Sequence, residues 1–169
     1  QGWRVVGGYE YQSSRLLRSF DIDDGALVPE YEKYGNHRLW WESYIGLGLP
    51  GEVLGAPHGA SARLQGSTIL GGPVDDFFDS YVGGLTGARG YPFYGLAGNE
   101  TLWLQAAYHF PIVPSIGRQF LFLYADKLYG KVYADAAMAW DGGWPGWQGV
   151  RRDIGGELRL GLGSFYLLP

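Results

Sequence analysis

The feature that most constrains this chain is an alternation with a period of two residues. Within a segment, charged side chains occupy sequence positions of one parity (odd or even), and apolar side chains occupy positions of the other. In residues 2–12, Arg4 and Glu10 share one parity, while Trp3, Tyr9 and Tyr11 share the other. Successive side chains of a β-strand point to opposite faces, so the alternation predicts a strand with one polar and one apolar face. The pattern predicts about six strands, over residues 2–12, 37–49, 60–70, 101–110, 128–140 and 153–165.

The length of these strands and their terminal aromatic residues are typical of a membrane β-barrel. Each strand has about ten residues or slightly more, as a tilted strand needs to cross a bilayer. Aromatic residues lie near strand ends on the apolar parity, as in interfacial girdles: Trp3, Tyr11, Trp41, Tyr108, Phe110 and Trp140. The alternative is a soluble β-barrel or sandwich that binds an apolar ligand or a protein partner, because its half-buried sheet gives the same alternation.

Composition agrees with a sheet-rich fold and excludes several other classes. The chain has 29 glycines among 169 residues, which suits many tight turns. This number disfavours a helical bundle, where an interior glycine costs about 1 kcal/mol. No run reaches the roughly 18 uninterrupted apolar residues of a transmembrane helix. A net charge of −4 gives no electrostatic footprint for nucleic acid, and the absence of cysteine excludes disulfides and thiolate metal sites.

The connections between the predicted strands alternate in length. Residues 13–36 and 71–100 are expected to be long loops, and residues 50–59 a short turn. Long outer loops and short periplasmic turns alternate in this way in outer-membrane barrels. Residues 111–127 break the pattern, because they should form a short turn but include the apolar run 120–124. This segment is predicted to be either an interfacial helix or an extension of the neighbouring strands.

The longest loop contains the most distinctive motif of the chain. Residues 83–93 read Gly-Gly-Leu-Thr-Gly-Ala-Arg-Gly-Tyr-Pro-Phe, a glycine-rich tip with a single arginine. Glycine permits positive φ and close approach of the backbone to a neighbour. From the residues alone, an arginine in such a tip is most simply a solvated side chain. The candidate functional residues of the motif are Gly87, Arg89, Gly90 and Tyr91.

This motif resembles the Arg-Gly-aromatic motif in the sixth extracellular loop of the bacterial surface-antigen superfamily. That superfamily includes outer-membrane barrel-assembly proteins and two-partner-secretion transporters. Three later segments resemble the strands that follow in the family, namely 102–112, 132–136 and 155–160, although Ala137 stands where the family commonly has glycine. The resemblance covers residues 2–169 in topology and 83–169 in motifs. More narrowly, the pattern is similar to barrels at the C-terminus of Tol-type β-propeller proteins.

The resemblance implies a fold, a location and a role. Residues 1–169 are expected to form a single domain, the C-terminal part of an antiparallel transmembrane β-barrel of 16 strands, seen as a curved open sheet. The expected location is the bacterial outer membrane, with lipid, polypeptide cargo or periplasmic domains as partners. The expected role is outer-membrane protein assembly, translocation or surface anchoring. The loop is expected to enter the lumen, where Arg89 pairs with Asp135, and Glu157 is a second lumenal carboxylate.

No other pattern in the sequence predicts catalysis, a metal or a cofactor. There is no Gly-x-Ser-x-Gly elbow, and the three histidines share no metal-ligand spacing. Residues 21–32 faintly resemble a calcium loop, but Ala26 occupies the position that requires glycine, so a solvated acidic loop is expected instead. The prediction is therefore a protein that is not an enzyme and has no cofactor.

Overall fold

Antiparallel strands make up most of the computed structural model, which describes residues 2–71, 76–84 and 87–164. One-turn 3₁₀ helices lie at Asp76–Phe78 and Trp147–Gly149, and no described helix is long and apolar enough to cross a membrane. The strands are β1 Gly2–Asp23, β2 Ala26–Gly48, β3 Gly59–Leu70, β4 Ser80–Val82, β5 Leu96–Gly98, β6 Glu100–Val113, β7 Arg118–Phe120, β8 Leu123–Trp140 and β9 Arg151–Ser164.

Six long strands form one curved antiparallel sheet with the shape of a half-barrel. Its order is β1-β2-β3-β6-β8-β9, so the long strands follow one another as a meander. The short strand β7 pairs with the beginning of β8, and β4 pairs with β5 in a separate two-stranded sheet. The prediction of an all-β fold built on a curved antiparallel sheet is confirmed.

The register carries the two faces of each strand across the whole sheet. One row of cross-strand partners runs from Ile45 through three alanines to Ile154, and we call its side of the sheet the apolar face. The adjacent row runs from Arg63 through Gln105 and Asp135 to Asp153, on what we call the polar face. Cross-strand partners point to the same side, so the alternation within each strand becomes a property of the sheet.

The expectation of a long loop over residues 13–36 is wrong. β1 and β2 continue to pair beyond the end of β3 and reach a two-residue turn at Asp24 and Gly25, whose φ angles are 47° and 78°. Asp-Gly in this conformation is a typical hairpin turn. The alternation was missed because Arg18 is an extra residue, a β-bulge between Leu17 and Ser19 that switches the parity of the strand. We call residues 13–36 the hairpin extension.

Residues 111–127 form strand extensions rather than a helix. β6 runs to Val113 and β8 begins at Leu123, with the short β7 hairpin between them. Leu121, at a φ of 53°, lies in the turn that joins β7 to β8. The sixth predicted strand corresponds to β9, and its expected last residue, Phe165, lies outside the described residues.

Candidate functional site: the inner loop and its wall

Residues 71–99, which we call the inner loop, fold back over the polar face of the sheet; residues 72–75 and 85–86 lie outside the described part. The loop is built on the β4–β5 pair, and Val82 and Ala88 pack with Trp103 of β6 and Ala137 of β8. Ala88 is 1% exposed and Trp103 is 4% exposed. An apolar cluster therefore holds the loop against a wall that is otherwise polar.

Glycines let the loop backbone turn tightly at the start of the motif. Gly83 and Gly84 have φ angles of 141° and 72°, which only glycine adopts readily. The amide of Gly84 donates to the carbonyl of Tyr91 over 3.0 Å, so the two ends of the motif are joined. A Cβ atom on Gly87 would lie 2.8 Å from the amide nitrogen of Gly83, so a side chain there would push the turn apart.

Arg89 reaches from this turn to the wall formed by β8 and β9. Its Nη1 donates to Oε2 of Glu157 over 2.9 Å, and its guanidinium lies 5.1 Å from the ring centroid of Tyr133. Arg159 donates to the other carboxylate oxygen of Glu157 over 2.6 Å. The hydrogen bond to Glu157 raises the pKa of Arg89 above its ordinary value, which already leaves the guanidinium charged at physiological pH.

The ion pair differs from the Arg89–Asp135 pair that the resemblance implied. Asp135 accepts from Nε2 of Gln105 over 2.8 Å, and Oε1 of the same amide accepts from Lys131 over 2.9 Å. Asp135 lies directly opposite Asp153 and next to the backbone amide of Arg89, whereas Glu157 lies opposite Lys131 and pairs with the Arg89 guanidinium. The β8 motif alone could not show this choice, because it depends on the register of β9.

The two motif residues after Arg89 also contact β9. The amide of Gly90 donates to Oδ2 of Asp153 over 2.8 Å, and the hydroxyl of Tyr91 donates to the carbonyl of Arg152 over 3.3 Å. A Cβ atom on Gly90 would lie 2.7 Å from Cβ of Asp153, so only glycine fits at this distance. The sequence placed Asp153 at the start of the predicted strand 153–165, but it did not identify this residue as an anchor of the loop.

A cleft of about 680 Å³ lies beside the inner loop, between Ser80–Gly83 and the polar face of β1, β2, β3 and β6. Glu42 lies on its wall and pairs with Arg4, while Arg63 approaches the same carboxylate at 4.0 Å. Arg38 donates to the carbonyl of Phe78, which ties the loop to β2. Across the described residues, no three His, Asp or Glu side chains are grouped so that they could hold a metal.

Protein-family models, curated proteins and solved structures were compared with this chain, and none of them matches it. The resemblance to the surface-antigen superfamily therefore depends only on the motif residues and their order. The structure adds the contacts that these residues make with the wall of the sheet.

Proposed function

We propose that this chain is the membrane-crossing part of a bacterial outer-membrane β-barrel, with its apolar face against lipid and its polar face towards a lumen. The barrel serves outer-membrane protein assembly, translocation or surface anchoring. The observation that carries the proposal is the separation of the two faces across all six long strands, together with a long loop docked on the polar one.

The apolar face supports this proposal because it is uncovered even at the centre of the sheet. Leu104 on β6 and Val132 on β8 are 45% and 48% exposed, although both strands have neighbours on each side. Apolar patches of this extent are rarely left in contact with water. From Gly130 to Trp140 the apolar face of β8 spans ten residue-to-residue steps. That span is about 33 Å along the strand, or about 25 Å at a roughly 40° tilt, the height of the apolar band of such barrels.

The edges of the sheet support a larger barrel. In the described chain β1 pairs only with β2, and β9 pairs only with β8. Unpaired backbone groups cost several kcal/mol each in hydrocarbon, so strands in lipid must be closed into a ring. In this proposal, further strands therefore close the ring, and the complete barrel has the 16 strands that the resemblance implies.

The inner loop supports a role that depends on a partly filled lumen. A loop held by Arg89, Gly90 and Tyr91 narrows the space inside the barrel and leaves the cleft beside β2 open. Polypeptide cargo or periplasmic domains are the partners implied by the resemblance. In this proposal, the contacts of Arg89 with the wall keep the loop inside the barrel.

A pair of neighbouring cysteine substitutions tests the membrane placement, and the chain has no cysteine of its own. Leu64 lies on the apolar face and Gln65 on the polar face. In the protein as the cell makes it, embedded in bilayers, a nitroxide at L64C should collide with oxygen and be shielded from a water-soluble nickel chelate. A nitroxide at Q65C should show the reverse.

The opposite result would favour the second candidate, a soluble sheet whose apolar face binds an apolar ligand or a protein partner. A shallow depression of about 570 Å³ on that face, bordered by Ile45, Leu47, Tyr108 and Val132, is the observation that favours it. If the protein is monodisperse without detergent and the nickel chelate reaches both labels, the membrane proposal is wrong.

A further inference from the structure

The hairpin extension has two chemically different sides. The side continuous with the apolar face carries large exposed residues towards the tip, including Phe20, Ile22 and Leu27, which are 59%, 71% and 72% exposed. The opposite side carries the acidic residues Asp21, Asp23, Glu30 and Glu32. Because the bulge at Arg18 compensates for the change of parity, the apolar side chains stay on one side beyond it.

Two cations interrupt the apolar side of the extension. Arg15 and Lys33 are direct cross-strand partners, and both side chains are exposed. Like charges placed opposite each other destabilise a strand pair unless an anion lies between them. The ion pair that the structure gives for the extension joins Arg18 to Glu32, which lies on the other side. Along residues 13–35 the side that carries Arg15 and Lys33 holds no acidic residue.

Hydroxyl groups lie directly below this pair of cations. Ser13 and Gly35 form the cross-strand pair two residues away on the same side. A Cβ atom on Gly35 would lie 3.2 Å from the hydroxyl oxygen of Tyr11, so the tyrosine leans over the glycine towards the cations. A guanidinium, an ammonium and two hydroxyls without a carboxylate form the donor set that suits a phosphate group.

The position of these donors along the strand places them near the headgroup layer of a membrane, an inference that rests on the proposed function. The Tyr9 hydroxyl is hydrogen-bonded to Nδ1 of His37 over 2.7 Å, and the Tyr11 ring packs at a tilt against the same imidazole, with 4.9 Å between the ring centroids. An aromatic group therefore marks this end of the apolar band. Arg15 lies four residues beyond Tyr11. That is about 13 Å along the strand and about 10 Å in height at a roughly 40° tilt. Long cationic side chains reach back from such a position to the headgroup layer.

We infer that Arg15 and Lys33, with the hydroxyls of Tyr11 and Ser13, bind the phosphate of a lipid headgroup at the outer surface of the membrane. The site explains why two like charges are placed opposite each other on an otherwise apolar side. It also fixes the height of the barrel, because the phosphate layer lies immediately outside the hydrocarbon band.

Spin-labelled lipids test the inference in the intact protein reconstituted into phosphatidylcholine bilayers. Spin-labelled phosphatidic acid should associate with the protein more strongly than spin-labelled phosphatidylcholine. R15Q should weaken that preference roughly fivefold, and K33Q should do the same, because each cation near an anionic surface contributes on the order of 1 kcal/mol. R18Q is the matched control, since it removes the same charge three residues away but on the other side, and it should leave the preference unchanged.

Four results would overturn the inference. Equal weakening by R15Q and R18Q would show a general charge effect and no site. Full competition by inorganic phosphate would show a site for the free anion. The absence of any preference, with the labels at L64C and Q65C still divided between lipid and water, would refute this site and leave the barrel proposal intact. If both labels are open to water, the barrel proposal and the lipid site fail together.

Discussion

The hairpin extension and the inner loop leave the same end of the sheet, and they are held in place in different ways. The extension pairs with itself up to the turn at Asp24 and Gly25, and most of its side chains are exposed, although Asn36 is buried and Tyr34 stacks on Phe78 of the inner loop. The inner loop has little regular pairing and takes its contacts from the wall, through the Trp103 cluster and the ion pair to Glu157. The backbone of the extension finds its partners in the opposing strand of the hairpin, and the backbone of the inner loop finds most of its partners within the loop. What differs is that the inner loop is held in position by side-chain contacts with the wall.

This difference predicts which substitutions should lower the stability of each segment. Stability of the inner loop should depend on single contacts with β6, β8 and β9, because few other interactions hold it there. The extension spreads its stabilisation over a long ladder of hydrogen bonds, so most single changes in it should be mild. Matched substitutions in the two segments test whether their stabilities differ in this way.

The largest expected effect is that of Trp103→Ala. Trp103 is 4% exposed and lies at the base of the cluster that holds Val82 and Ala88. Removing it should lower the free energy of unfolding by about 3–5 kcal/mol and release the inner loop. Denaturant titration measures the first effect, and trypsin cleavage after Arg89 measures the second. Trp147→Ala, at a position 77% exposed, is the control and should change neither; equal effects would mean that the cluster does not hold the loop.

Gly90→Ala should have the next largest effect. The new Cβ would lie 2.7 Å from Cβ of Asp153, so the loop has to move away from β9 at a cost of about 1–3 kcal/mol. Gly25→Ala is the comparison in the extension, where a Cβ meets nothing but the φ of 78° costs about 1 kcal/mol locally. Only Gly90→Ala should speed trypsin cleavage after Arg89, and cleavage at the wild-type rate would show that the close approach is not required.

Glu157→Gln should weaken the inner loop by a smaller amount. The Arg89 and Glu157 side chains are 28% and 26% exposed. Loss of this charged pair should therefore cost about 1–2 kcal/mol. Glu32→Gln is the control, because its pair with Arg18 spans 3.8 Å between side chains that are 70% and 64% exposed. A double-mutant cycle with Arg89→Gln measures the coupling energy between Arg89 and Glu157, and a coupling energy of zero would show that this pair does not stabilise the loop.

The smallest effect is expected when the extension is shortened. Joining Gln12 to Asn36 through an Asp-Gly turn removes pairing that β3 does not share, since β3 meets β2 only from His37 onwards. The free energy of unfolding of the remaining sheet should fall by about 1 kcal/mol or less, because the shortened chain also loses the stacking of Tyr34 on Phe78 of the inner loop. The labels at L64C and Q65C should keep their opposite environments. A cooperative loss of the whole sheet would show that the two regions are not independent.

The two faces of the sheet could be predicted from the sequence, because each strand shows the alternation within its own residues. The predicted strand over 60–70 is nearly the observed β3, and the charged parity became the polar face. The extension was missed because one extra residue, Arg18, interrupts the period of two. The resemblance placed the motif in a long loop, but it named Asp135 as the partner of Arg89, where the structure has Glu157. Partner choice depends on register between strands, which no single segment contains.

The bulge at Arg18 affects the direction in which the tip of the hairpin points, but it does not affect which side chains lie on each side of the tip. An extra residue on one strand bends the ribbon and increases its twist, but here it leaves the apolar and acidic sides unchanged. Deleting Arg18 would therefore straighten the ribbon and change the direction of its tip while the apolar and acidic sides stay where they are, although the ion pair with Glu32 would be lost. One residue thus sets the direction in which the tip leans, whereas any further change in length by one residue would exchange the two sides.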